Sequence, residues 1–114
     1  MKFEFLDIAK KELDDSFEYY EFQQKDLGYR FIDEIKKTIE RVNFSPYMWQ
    51  KITTNTRRCL VKSFPYGVIY KIYDEKILIV AIANLHRKPN YWKDRIEEKD
   101  KYDSNSSKKQ KSVS

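Results

Sequence analysis

Glycine is nearly missing from this sequence: Gly28 and Gly67 are the only two in 114 residues. That excludes a Gly-rich phosphate loop, which needs glycines at fixed spacing so that backbone N–H groups can wrap an anion. Cysteine and histidine occur once each, as Cys59 and His86. A lone cysteine forms no internal disulfide, which fits a reducing compartment. The two residues together cannot supply a zinc ligand set, so no metal or cofactor is expected. Cys59 lies in the strand-like "RRCLVK" and reads as a packing residue. Long hydrophobic runs are absent too. The longest, Ile77 to Ala83, is far too short to span a bilayer. The opening "MKFEFLDIAKK" lacks the apolar segment of a secretory leader. These absences predict a cytoplasmic protein with no membrane partner. There is no G-x-S-x-G and no Ser/His/Asp order for acyl transfer.

What is present is apolar and aromatic enough to fold. Hydrophobic residues make up 40% of the chain and aromatics 16%, which argues for one globular domain with a modest core. The net charge of +5 hides an asymmetry. Residues 1–42 carry 8 Lys/Arg and 11 Asp/Glu, whereas residues 43–95 carry 10 Lys/Arg and 3 acids. A basic second half beside an acidic first half points to one basic surface and an anionic partner.

Periodicity supplies the architecture. "KFEFL" alternates and reads as a short strand. Asp7 is placed to cap a following helix, in which Ala9, Leu13, Phe17 and Tyr20 form one apolar face. Asp26 is placed to cap a second helix with the stripe Leu27, Phe31, Ile35, Ile39 and Val42. The two read as a helical hairpin whose stripes need a sheet to cover them. Pro46 breaks the helical pattern. Then "RRCLVKSF", "YGVIYKIY" and "KILIVAIA" read as strands with tight connections at Pro65-Tyr66-Gly67 and Asp74-Glu75. The fold class is thus α+β: a short N-terminal strand, a helical hairpin, then an antiparallel meander of three or more strands. The last strand is apolar on both faces, so it is expected to be central and covered on both sides. Residues 1–95 form the domain. The polar, Ser/Lys-rich 96–114 is expected to be a disordered tail.

Two stretches carry candidate chemistry. Strand alternation puts Arg58, Leu60, Lys62 and Phe64 on one face, and Arg57, Cys59, Val61 and Ser63 on the other. Arg58 and Lys62 are therefore candidates for one anion-binding surface, with Arg57 beside them. The second stretch is "IVAIANLHRKPNYWKDR", where His86, Arg87 and Lys88 leave the last strand together. Histidine titrates near neutrality, and a fixed cation beside it suits phosphodiester cleavage. Tyr91 can supply a proton or stack on a base. Equally, "KPNYW" reads as a turn that folds Tyr91 and Trp92 back onto the sheet as a cap on the core.

The segments "LGYRFIDEI", "FPYGVIYKI" and "ILIVAIANLHRKPNYW" resemble the RelE/ParE toxins of bacterial type II toxin–antitoxin modules, often labelled plasmid stabilisation proteins. The resemblance covers about residues 2–95. It implies a growth-arresting toxin silenced by a cognate antitoxin. RelE-like members of the family cleave mRNA, usually at the ribosome. ParE-like members inhibit DNA gyrase without a nuclease site. On the RelE-like pattern Arg87 and Lys62 stand at basic positions of the nuclease site, with His86 and Tyr91 as proton-transfer candidates and Arg57, Arg58 and Lys88 as substrate-binding cations. This makes ribosome-dependent mRNA cleavage the leading expectation and gyrase inhibition the alternative. The chain departs from that pattern in two places. "TTNTRR" supplies only Arg57 and Arg58 in front of the meander, and Asn84 stands where many relatives carry histidine.

Overall fold

The structure, a computed structural model, describes residues 1–96. The expected tail lies outside the described residues but for its first residue, Ile96. The chain runs β1 (Lys2–Phe5), α1 (Asp7–Gln23), α2 (Leu27–Phe44), β2 (Gln50–Lys51), β3 (Arg57–Leu60), β4 (Tyr66–Tyr73) and β5 (Lys76–Asn84). The strands form one sheet in the order β1-β5-β4-β3-β2. The expected meander is present as β3, β4 and β5, and the short β2 extends it at one edge. β1 returns to pair parallel with β5, Phe3 opposite Ile77 and Phe5 opposite Ile79. The last strand is therefore internal, as its two apolar faces require.

The helical hairpin lies on one face of the sheet. The expected stripes point inward: Ala9, Phe31, Ile35, Ile39 and Val42 are buried with Cys59, Val61, Val68, Tyr70, Ile77, Ile79 and Ile82. Phe31 is the centre of an aromatic cluster, with ring centroids at 4.8 Å to Tyr66, 5.2 Å to Phe64 and 5.2 Å to Tyr20. The pairs with Tyr66 and Phe64 are edge-to-face, and each such pair adds about 0.5–1.5 kcal/mol to the area buried. The other face of the sheet holds Ile69, Leu78, Val80, Ala81 and Ala83, closed over by Trp92 and Ile96. The 91–96 segment is thus the second cover, and Trp92 caps the core.

Strict alternation fails at one place in β5. Ile69 pairs with Ala81 but Tyr70 pairs with Ile79, so Val80 is an inserted residue. This bulge lets Val80 and Ala81 both serve the second face while Ile79 and Ile82 serve the helical one. The β4–β5 turn is Asp74-Glu75, both at positive φ (52° and 57°). That is the twist a two-residue hairpin needs to match its strands.

Three local expectations are corrected. Asp7 is the first residue of α1, the cap position is Leu6, and no side chain bonds there. Asp26 does hold the cap position of α2, but in the left-handed region (φ 71°) and without a side-chain bond. Glu21 does the capping instead: its carboxylate accepts from the N–H of Asp26 (2.9 Å) and of Gly28 (3.0 Å). Its negative charge also suits the positive end of the helix. Alternation places Phe64 on one face with Arg58, Leu60 and Lys62. β3 ends at Leu60, the chain turns through Ser63 (φ 70°), and Phe64 packs under the helices. Alternation stopped predicting sides once the strand stopped.

The hairpin is tight because Gly28 lacks a side chain. A Cβ there would lie 2.6 Å from the Phe17 carbonyl oxygen and 2.8 Å from its ring. Helix propensity favours alanine over glycine by about 1 kcal/mol, but a backbone carbonyl cannot move aside. Gly28→Ala is expected to destabilise by about 1–3 kcal/mol, read as a lower denaturation midpoint at unchanged slope in urea.

Candidate functional site

β5 ends in a turn built by Asn84. Its carbonyl accepts the Arg87 N–H (3.1 Å) and its side-chain oxygen accepts the His86 N–H (2.8 Å). The Leu85 N–H reaches the Pro65 carbonyl at 2.8 Å, tying this turn to the loop before β4. Beyond it the chain folds back through Asn90 (φ 64°) and lays Tyr91 and Trp92 against the sheet. Between turn and sheet lies a cleft of about 160 Å³, floored by Ile52, Ile69, Ala83 and Trp92 and bordered by Arg58, Arg87, Lys88 and Tyr91. The Arg58 stem lies across Gly67, where a Cβ would come within 3.0 Å of it. That close crossing brings a residue of β3 to the end of β5.

Beneath the cleft sits one carboxylate, Glu12 of α1. Its Oε1 accepts from the Ile82 N–H (3.0 Å) and an Arg95 nitrogen (3.0 Å). Its Oε2 accepts from the Tyr91 hydroxyl (2.6 Å) and the other Arg95 nitrogen (2.8 Å). Arg95 also donates to the Val80 carbonyl at 3.1 Å. These bonds take over where β1 stops, since its last link to β5 is Leu6 N–H to the Ile79 carbonyl. The bidentate pair is largely enclosed, with both side chains 14% exposed. The Arg87 guanidinium carbon sits over the Tyr91 ring, 3.7 Å from its centroid, and its Nη1 is 3.6 Å from Glu12 Oε2.

This arrangement tunes its members. Burial, then the bond to Glu12 and the charge of that carboxylate, push the Tyr91 hydroxyl well above the ordinary tyrosine range, against the opposing pull of Arg95 and Arg87. Burial alone would lower the Arg95 guanidinium, but Glu12 holds it above its ordinary value.

The candidate residues fall into two sets. Arg58, Arg87, Lys88 and Tyr91 line the one cleft. Lys62 is exposed in the loop after β3, and His86 is exposed on the turn; neither lines it. Arg57 faces the other way and donates to the carbonyls of Tyr47 (2.9 Å) and Trp49 (2.8 Å). Two residues the sequence reading passed over, Glu12 and Arg95, hold the site together. Glu12 is one of many acids on the two helices, and its residue type does not set it apart. Its signal was position: it lies three residues after Ala9 and four before Ser16, on the margin of the buried stripe. Ser16 is likewise engaged, 2.9 Å from the Tyr66 hydroxyl.

A second surface lies on the hairpin side. Phe3, Phe5, Leu13, Ile32, Ile35 and Ile39 line an apolar groove of about 480 Å³ beside β1, which is an edge strand. Among the described residues there is no cluster of metal-binding side chains and no helix long and apolar enough to cross a membrane.

A parallel N-terminal strand, a two-helix hairpin and an antiparallel meander with a basic end define a class, the RelE/ParE-type toxin fold. The family described as "ParE toxin of type II toxin-antitoxin system, parDE" matches residues 3–91. The chain belongs to that family. In fold it is similar to a solved chain of the "Chromosomal ParDE TA system from P. aeruginosa", with a TM-score of 0.67 at 12% identity. The match covers 75% of this chain and 97% of that one. No curated protein matches the sequence significantly.

Several tyrosines are held neutral by this packing, which sets an alkaline limit. Burial, then the neighbouring Tyr66, raises Tyr20 to about 12, and burial raises Tyr70 to about 12. The folded state therefore keeps these protons when the unfolded chain, with tyrosines near 10, has released them. Their contribution to stability is complete below about pH 10 and is lost as pH rises through about 12. Denaturant midpoints should fall steadily over that window, in step with delayed tyrosinate absorbance.

Proposed function

We propose that this ParE-family toxin arrests growth by binding DNA gyrase through the basic cleft, without a catalytic step. The observation that supports this reading is the commitment of Tyr91. RNA cleavage needs a base for the 2′-hydroxyl and an acid for the leaving oxygen. Tyr91 is the one hydroxyl in the cleft lining, and it is donated to Glu12 at 2.6 Å. Its raised proton affinity makes it a poor acid and a poor base at neutral pH. The lining otherwise offers fixed cations, amides and apolar surface, which serve binding.

A second reading is ribosome-dependent mRNA cleavage. It is favoured by the convergence of Arg58, Arg87 and Lys88 on one cleft, a suitable phosphate grip, with His86 on the adjoining turn. Two measurements separate them. Purified toxin should block supercoiling by bacterial gyrase, and Arg87→Ala should weaken that block by about tenfold or more, the scale of a charged interface contact. Mapping of mRNA 5′ ends after brief induction should show no new ends. New ends inside codons that vanish in Arg87→Ala would establish the nuclease instead.

We place the antitoxin in the apolar groove beside β1. Six of the nine residues that line the groove are Phe, Leu or Ile, with Lys36, Glu40 and Asn43 the polar ones, a balance suited to an amphipathic segment or an added strand. Phe3 is 47% exposed there, so Phe3→Asp should leave the fold intact. The variant is expected to stay toxic but to escape neutralisation when the antitoxin is co-expressed. Full neutralisation would move the antitoxin to another surface.

A further inference from the structure

The cleft crowds three cations, Arg58, Arg87 and Lys88, around one opening. Long basic side chains so placed repel one another and lose side-chain freedom when they bind. One of them is treated differently. Arg87 is 54% exposed, yet its guanidinium carbon sits over the Tyr91 ring, 3.7 Å from the centroid. With about half of the side chain open to solvent, guanidinium N–H groups remain accessible, and those groups recognise a carboxylate or phosphate.

The ring beneath is no loose platform. A half-buried tyrosine can turn about its side-chain bonds, but the Tyr91 hydroxyl is fixed at 2.6 Å to Glu12 Oε2. Glu12 is fixed in turn by the Ile82 N–H and both Arg95 nitrogens. An unbroken chain of contacts thus runs from the β5 backbone through Glu12 and Tyr91 to Arg87. The same carboxylate supplies a negative charge beside Arg87, 3.6 Å from its Nη1, which offsets repulsion from the other cations.

We infer that Glu12 is the positioning residue of the cleft: through the Tyr91 hydroxyl it holds the ring on which Arg87 lies, so that the guanidinium edge meets an anionic group of the target already oriented. This rests on the reading that the cleft contacts the target. Glu12 itself is enclosed at the hydroxyl end of the ring and touches no partner. A site oriented before contact binds more tightly because less freedom is lost on binding.

The test uses the full chain and two readouts. In Glu12→Gln the carboxylate charge is deleted, and one acceptor becomes an amide donor facing other donors. The first readout is the side-chain Nε–Hε resonance of Arg87 by NMR. In the wild type it should be displaced by the Tyr91 ring current and ordered. In Glu12→Gln it should move to the position of a free arginine while the strand amides keep their places. An unmoved resonance in a folded variant overturns the inference. Should Glu12→Gln fail to fold, Tyr91→Phe removes only the hydroxyl link and leaves Glu12 bonded to Arg95 and Ile82. An Arg87 resonance unchanged there overturns it as well.

The second readout is gyrase supercoiling. Glu12→Gln should raise the half-inhibitory toxin concentration by about three- to tenfold, the scale of losing one pre-ordered side chain. Added to Arg87→Ala it should cost nothing more, because Glu12 acts through Arg87. Independent, multiplying losses would show a merely structural role and overturn the inference. If wild-type toxin leaves gyrase untouched, the gyrase reading falls, while the Arg87 resonance still decides the positioning role.

Discussion

A carboxylate withdrawn from water must be surrounded by donors, and Glu12 meets that requirement by reaching across almost the whole chain. Its partners lie 70, 79 and 83 residues away in sequence. Breaking one side of such an enclosed pair is more damaging than its net contribution suggests, because the remaining charge is left buried. The first helix, the open stretch of β5 and the 91–96 cover are therefore constrained together. The second face of the sheet depends on that cover, because Trp92 and Ile96 close it. The shape of the basic cleft depends on the same contacts, since Tyr91 is both a wall of the cleft and a ligand of Glu12.

The charge asymmetry of the chain takes on meaning in this frame. The acidic first half supplies the helices, and most of its carboxylates serve solvent or local pairs such as Lys11–Asp15 at 2.9 Å. Exposed pairs of that kind contribute little. One acid is instead turned inward beneath the basic half, where it organises cations that would otherwise repel. A domain that gathers Arg58, Arg87 and Lys88 around one cleft has to remain folded while doing so. The Glu12 cluster reconciles the two by placing one fixed counter-charge under Arg87 and Arg95.

Much of the fold was legible in the sequence. The stripes at Ala9–Tyr20 and Leu27–Val42, the strands of the meander and the Asp74-Glu75 turn all follow from local periodicity and local sterics. These are properties of neighbours, and neighbours are what a sequence lists. The errors fell where a partner came from elsewhere. Asp7 and Asp26 carry good capping side chains, but the α2 donors are met by Glu21 from the preceding helix. Phe64 was assigned to a face by alternation that had already ended at Leu60. Within the candidate site, the run His86-Arg87-Lys88 and Tyr91 stood out by residue type. The tertiary structure distributed them: Arg87, Lys88 and Tyr91 to the cleft, His86 to the open turn.

The sequence by itself determined the element order, the amphipathic faces, the basic second half and the family resemblance, because each follows from residue type and short-range spacing. Only the tertiary structure decided that β1 returns beside β5, that Val80 is an inserted residue, and that Arg58 and Arg87 share a cleft while Arg57 faces away. It alone picked Glu12 from among the helix acids. The physical reason is that a carboxylate's role depends on which donors reach it and how much water remains. Both are set by segments that meet only when the chain has folded.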